Sequence, residues 1–287
     1  MAENLKDIRR RIKSVKNTQQ ITKAMKMVAA SKLRRAQSRA EAARPYAENL
    51  REVLQRVAAR TSVVSHPLMA VRTVRKVAFL VLTSDRGLCG AYNANVLRQA
   101  TQAVATVGER RYGIIAMGRK GRDFFRRRGY ELLGEFAPVG DEARFEQAKA
   151  AAERAMALYT AEAVDEVVLV YTRFVSAMQQ HAVAVPLLPI SGEALRGEQH
   201  AVTGGYIFEP GAWEILAAML PKYVESQVFE ALQEAKASEH GARMRAMDAA
   251  TRNCADLIDR LTLRHNRARQ AAITKEIIEI VTAVEAM

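Results

Sequence analysis

Apolar positions recur along this chain with two different periods. Between residues 3 and 58 they fall in steps of four and three: Ile8, Ile12, Val15, and again Ile21, Met25, Val28. That spacing keeps one face of a helix apolar. Between the two sets the phase slips, so the stripe does not read as one unbroken heptad seam. Good helix formers fill the segment, Gly is absent and Pro45 is the only breaker. A helix of about 55 residues would run roughly 80 Å, longer than a single globular domain needs.

The period changes over residues 75–190. Val77–Leu82, Tyr112–Ala116, Glu166–Tyr171 and Val183–Leu188 are short apolar runs, alternating with helical stretches near 92–106, 119–128 and 142–161. Near-continuous apolar strands separated by helices predict a mostly parallel sheet covered by helices, a Rossmann-like α/β domain of about five strands. Residues 191–210, with Ser191-Gly192, Gly197, Gly204-Gly205 and Pro210, read as a loop. A second long helix follows, with Pro221 in its first turns. It carries a seam at Met247, Thr251, Cys254, Ile258, Leu261, His265, Ala268 and Ala272, then a second phase at Ile273, Ile277, Ile280 and Val284. The predicted organisation is a helix over 1–58, an inserted α/β domain over 75–190 and a helix over 211–287. Pairing of the two termini as an antiparallel two-helix coiled coil is the economical arrangement, and it makes the fold a mixture of α/β and α+β.

Charge sharpens this picture. The net charge is +13, and residues 1–44 alone hold 13 Lys/Arg against three acids. Residues 243–275 add 8 Lys/Arg against 3 acids. A thin, basic coil whose seam includes Thr251, His265, Ala268 and Ala272 is poorly built to stand alone in water, and implies an anionic partner. The first segment is too long for a transit peptide, and Glu3 and Asp7 fall where such peptides lack acids. At 49% hydrophobic, 26% charged and 6% aromatic, with few Pro and Gly, the chain is neither disordered nor collagen-like. No apolar run approaches the eighteen or so residues of a membrane span. Cys89 and Cys254 are far apart and form no CxxC, which excludes a disulfide scaffold and a zinc ribbon.

Candidate chemistry is sparse. Thr83–Asn93 follows the first strand and opens a helix, where an open α/β sheet would hold a phosphate. Neither GxGxxG nor GxxxxGK[ST] is present, so the turn reads as structural, with Asp85 or Asn93 satisfying backbone donors. Gly118–Gly121 is a weaker version of the same turn. Arg126–Arg128 reads as a solvated helix end that complements the macrodipole. The five histidines show no metal spacing, and no nucleophile, base and acid can be assembled. Neither a catalytic residue, a metal site nor a cofactor is expected. The alternative that charge suggests is a basic helical nucleic-acid-binding protein. It fits poorly, because the basic residues are interleaved with the apolar seam and the termini lack aromatic platforms.

Three long runs carry a family resemblance. Asn17–Lys32 (NTQQITKAMKMVAASK), Arg243–Met247 (RMRAM) with Ala250–Asn253 (ATRN), and Asn266–Val281 (NRARQAAITKEIIEIV) resemble the gamma subunits of F-type ATP synthases, and the central Ser84–Gly90 (SDRGLCG) fits as well. The resemblance covers the whole chain in order. Thr282-Ala283-Val284 replaces a glycine-containing stretch common in the family, and the paired cysteines of chloroplast relatives are missing. The resemblance implies a non-catalytic central-stalk rotor subunit that couples ion flow to the conformational cycling of the catalytic subunits. Its implied partners are the hexamer of three alpha and three beta subunits, the epsilon subunit and the c-subunit ring, with one copy per complex, no nucleic acid, and membrane contact only through partners. It places beta contacts at Met25, Lys26, Arg243, Arg269, Gln270, Thr274 and Glu276, and c-ring contacts at Tyr206 and Glu209. The implied location is the cytoplasmic face of a bacterial inner membrane, as a peripheral protein.

Overall fold

The computed structural model describes residues 5–60, 66–108, 110–191 and 211–285. Two helices dominate: α1, Leu5–Arg60, and the last helix α5, Ala212–Glu285. Between them come β1 (Lys76–Leu82), α2 (Tyr92–Thr106), β2 (Arg111–Met117), α3 (Arg119–Arg127), β3 (Leu132–Phe136), α4 (Phe145–Thr160), β4 (Glu166–Phe174) and β5 (Gln180–Leu188). Pro45 does not end α1. It lies on the exposed side, so the carbonyl left without a donor can face water. The chain divides into two compact units, one of residues 30–242 and one of residues 1–29 with 243–287.

In the unit of residues 30–242 the strand order is β3-β2-β1-β4-β5. β1 pairs in parallel with β2 and β4, β2 pairs in parallel with β3, and β4 pairs antiparallel with β5. Val77–Leu82 is buried throughout because both faces are covered. Val77, Phe79 and Val81 pack with Val96, Ala100 and Phe125 of α2 and α3. Ala78, Leu80 and Leu82 pack with Ala148, Ala152 and Tyr159 of α4, Leu54 and Val57 of α1, and Leu220, Val224 and Val228 of α5. Each fully buried Leu or Phe here contributes roughly 1.5–3 kcal/mol.

The apolar pattern passes over β3. Its residues are partly buried or exposed, and Gly134-Glu135 interrupts the run. As an edge strand it is held by its ladder to β2 and by Arg126, whose guanidinium forks onto both Glu135 oxygens at 2.6 Å. Arg126 thus ties the edge to α3 while standing exposed in the last turn of that helix, as expected. The guanidinium of Arg128 stacks 3.9 Å over the Phe124 ring. β5 is the other edge and accommodates Pro186 beside a register shift against β4.

The turn after β1 is closed by its own side chains. One Asp85 oxygen accepts from Arg119 N at 3.0 Å, the other from Val139 N at 2.9 Å and Gly140 N at 2.8 Å. Asn93 Oδ1 accepts from Ser84 N at 3.0 Å, and Thr83 Oγ1 from Gly121 N at 2.8 Å. These are backbone donors that a bound phosphate would need, and they are taken. The turn before α3 needs glycine: Gly118 has φ +100°, and a Cβ there would lie 2.2 Å from the Thr83 carbonyl oxygen.

Two outcomes follow for denaturant unfolding of the full chain. Gly118→Ala should cost at least about 3 kcal/mol, since backbone strain and a backbone clash add. Gly129→Ala, with φ +73° but open space around the new methyl, should cost only about 1–2 kcal/mol. Equal losses would contradict the close approach at Gly118. Asp85→Ala should cost about 2–3 kcal/mol by leaving three donors without an acceptor, and a loss below 1 kcal/mol would show that water replaces it.

Candidate partner-binding surface

In a sheet of order 3-2-1-4-5 the ligand crevice lies at the carboxyl ends of β1 and β4, where the chain's connections diverge. Here that crevice is filled by α5. Lys236–Ala242 is buried at every residue, although Lys236, Ser238, Glu239 and His240 are polar. Each finds a partner. Lys236 donates to the Gly140 carbonyl at 2.6 Å and to Glu239 at 3.0 Å. Ser238 donates to the Thr172 carbonyl at 3.1 Å. His240 Nε2 lies 3.1 Å from the Asp141 carbonyl, so this nitrogen must carry the proton. Ala242 packs on Cys89 and Tyr92 of the turn after β1, and Gly241 passes Ala177 and Gln180 beyond β4. With the crevice occupied and its donors used, the sheet has no room for a nucleotide. Among the described residues, no group of three His, Cys, Asp or Glu is placed to hold a metal, and no helix is long and apolar enough to cross a membrane.

Among its clefts this unit carries a basic one of about 460 Å³ lined by Lys32, Arg35, Arg39, Arg144 and Lys236. Asp141 and Glu142 bind two of these cations, Lys32 at 2.7 Å and Arg39 at 2.9 Å. The hydrogen bond from Lys32 holds the Asp141 carboxyl below its usual range.

The other unit pairs the ends of α1 and α5. The Thr251 and Thr22 hydroxyls lie 2.9 Å apart, and Lys26 Nζ donates to Asp248 Oδ1 at 2.5 Å. The pairs run in opposite senses, so the helices are antiparallel. On α5 the expected seam is the observed one: Met247, Thr251, Cys254, Ile258, Leu261, His265, Ala268 and Ala272 are buried or half-buried, with mostly exposed neighbours.

On α1 the expectation needs correcting. The inward stripe is Ile8, Ile12, Val15, Gln19, Thr22, Lys26, Ala29, an unbroken alternation of four and three. There is no phase slip; the heptad continues through polar residues. Ile21 and Val28 stand outside it at 59% and 53% exposure, and Met25 is half-buried beside them. Hydrophobicity pointed at the outward stripe, whereas the seven-residue repeat set by Ile8 points at Thr22.

The same holds at the end of α5. Continuing the observed pairing residue for residue brings Leu5 opposite position ~268, one rise per residue on each helix. Ile273, Ile277, Ile280 and Val284 lie past that point and are 47–68% exposed. This second phase is a surface stripe, not a seam of this chain. A contiguous exposed apolar face of this kind marks an interaction surface.

The expected beta-contact residues spread along this unit. Arg269, Gln270, Thr274 and Glu276 are exposed, and Arg243 is half-buried. Thr274 Oγ1 donates to the Gln270 carbonyl at 2.9 Å, so these two share a face. Lys26 is half-exposed and bound to Asp248, which accepts a second cation, Arg252, at 3.0 Å. The hydrogen bond from Lys26 keeps the Asp248 carboxyl below its ordinary range. Tyr206 and Glu209 lie outside the described residues. Asp248 and Thr22 escape a reading based on hydrophobicity.

Known proteins place this geometry. The family described as "ATP synthase" matches residues 4–287. The ATP synthase gamma chain of Pelotomaculum thermopropionicum is 51% identical over 284 residues, covering 99% of each chain. That of Desulforamulus reducens is 52% identical over 282 residues, covering 98% of each. Among solved structures, a chain of the central stalk/c-ring structure of the Tetrahymena thermophila mitochondrial ATP synthase is 28% identical, with TM-score 0.60 over 80% of this chain and 99% of that one. A chain of the Euglena gracilis enzyme shares the fold at TM-score 0.65 and 21% identity, over 99% of this chain and 94% of that one. A full-length match to gamma chains at half identity, with the sheet crevice filled and apolar stripes left exposed on the paired helices, makes this chain a member of the gamma-chain family of the ATP synthases.

Proposed function

We propose that this gamma chain is the rotor that couples ion flow through a ring of c subunits to catalysis on a hexamer of three alpha and three beta subunits. It is a non-catalytic subunit. One copy per complex would serve, held with the epsilon subunit at the cytoplasmic face of a bacterial inner membrane through its partners alone. Tyr206 and Glu209 are the proposed contacts with the c ring.

One observation carries this reading. The stripe Ile273, Ile277, Ile280, Val284 has no cover from the chain's own seam. An apolar face against an apolar sleeve is non-directional, so it tolerates turning where a set of fixed hydrogen bonds would not. Grip then falls to the polar neighbours. Arg269 can present its guanidinium fork to a loop carboxylate of a beta subunit. Gln270 and Thr274 can engage the same loop from one face. Glu276, Arg243 and Met25 extend the contact, and Lys26 joins it only with the part of its side chain that Asp248 leaves exposed. Exposed ion pairs are worth about 0–1 kcal/mol each, which suits an interface that must let go at every step.

In the assembled complex, Arg269→Ala with Gln270→Ala should lower ATP turnover roughly tenfold, about 1.4 kcal/mol on the barrier. Gel filtration should show the complex still assembled. Normal turnover in an intact complex would remove these residues from the proposed contact, and dissociation would make them assembly residues instead.

A further inference from the structure

Beside its basic cleft, the unit of residues 30–242 carries a larger one of opposite character. It encloses about 620 Å³ between α1, the end of β4 and α5. Its walls are aromatic. Tyr46, Phe145, Phe174 and Phe229 all line it, and the rings of Phe145 and Phe229 meet edge to face at 5.5 Å. Tyr46 and Phe145 are 60% and 41% exposed, so this aromatic surface stays open to solvent. A cleft of this size, mostly apolar with a few converging polar groups, has the build of a small-molecule pocket.

The polar groups set the sign of the ligand. On a chain of net charge +13 this cleft runs the other way. Glu41, Glu48, Glu230 and Glu234 line it against Arg44 and Arg51, and the Arg51 guanidinium is taken by the Tyr223 hydroxyl. Glu230 and Glu234 are one turn apart on α5, so their carboxylates share a face. Glu234 Oε2 accepts from Phe174 N at 3.3 Å, and among the described residues no Lys or Arg forms an ion pair with either carboxylate. Burial pushes the Glu234 carboxyl above its usual range and the Glu230 charge adds to this, against the opposing pull of the Phe174 amide, Arg173 and Arg44. Arg173 is itself engaged with the Tyr171 hydroxyl.

We infer that this cleft binds a small hydrophobic organic cation, with its apolar body against the four aromatic rings and its ammonium or guanidinium on Glu230 and Glu234. Ring faces attract a cation, and the carboxylates give it a charge-assisted hydrogen bond. An anion of the same shape meets four carboxylates, and a neutral molecule gains only the burial of its apolar body. The inference concerns the chain alone and does not rest on the rotor reading.

Isothermal titration of the full chain with three probes of one ring system tests it: naphthylmethylammonium, naphthylmethanol and naphthylacetate. The cation should bind about tenfold more tightly than the alcohol, the ratio expected from a hydrogen bond to a charged group, and the anion should not bind. Glu230→Gln with Glu234→Gln, which keeps the shape, should bring the cation down to the affinity of the alcohol and leave the alcohol unchanged. Phe145→Ala should weaken both. Because a carboxylate holds the cation and a protonated carboxyl does not, affinity for the cation should rise with pH as Glu234 loses its proton, and Glu234→Gln should abolish that rise. Circular dichroism should be unchanged in every variant. Failure of the cation to bind, equal binding of all three probes, or cation affinity retained in the double glutamine variant would overturn the assignment. So would binding to the isolated chain that disappears in the complex with alpha and beta subunits, since the cleft would then be a covered protein contact.

Discussion

The helix pair of this gamma chain depends on a small polar zipper. Ile8, Met247 and Leu261 are buried in its seam, but between them stand Thr22 on Thr251 and Lys26 on Asp248. Apolar burial brings the helices together, and two polar contacts join them where the seam has few large apolar residues. The outward residues inherit their places from it. Ile21 and Val28 face outward because Thr22 and Lys26 face inward, which leaves an apolar stripe exposed where the seam has taken the polar side chains.

The α/β unit shows the same exchange between packing and chemistry. A doubly wound sheet offers a crevice at its strand ends, and most such sheets use it for a ligand. In this chain the helix segment Lys236–Ala242 lies there; Lys236, Ser238 and His240 each meet a carbonyl of the unit, and Glu239 accepts from Lys236. Asp85 does for the turns what a phosphate would do elsewhere, gathering three backbone donors. The fold keeps the architecture of a nucleotide-binding sheet while its binding place has become part of the core. That leaves the protein's function to its surface.

Much of this was legible in the sequence. The long helices, β1, β2, β4, β5 and the α5 seam follow from period and from the scarcity of Gly and Pro, because both signals are local. Asp85 and Asn93 could be named as closers of a turn because no phosphate motif surrounds them. β3 was not visible, since an edge strand with Gly134 and Glu135 needs neither apolar face to be complete. The α1 seam was misread for a different reason. Outward-facing Ile21 and Val28 are more hydrophobic than Gln19, Thr22 and Lys26, so hydrophobicity ranks the faces in the wrong order. A helix whose outward face is the more apolar one cannot be assigned from the apolar pattern alone. The filled crevice was also out of reach, because it brings residue 240 against residue 141, a pairing only the folded chain contains.

The central claim is that this chain does its work by turning within a ring of catalytic subunits, with no chemistry of its own. Single-molecule observation tests it most directly. Lys120→Cys offers an exposed attachment point on α3 for a bead. With the alpha and beta hexamer fixed to glass and ATP supplied, the account predicts stepwise rotation in one direction, stopping when ATP is removed. Sustained ATP turnover with a stationary bead on a properly assembled complex would contradict it.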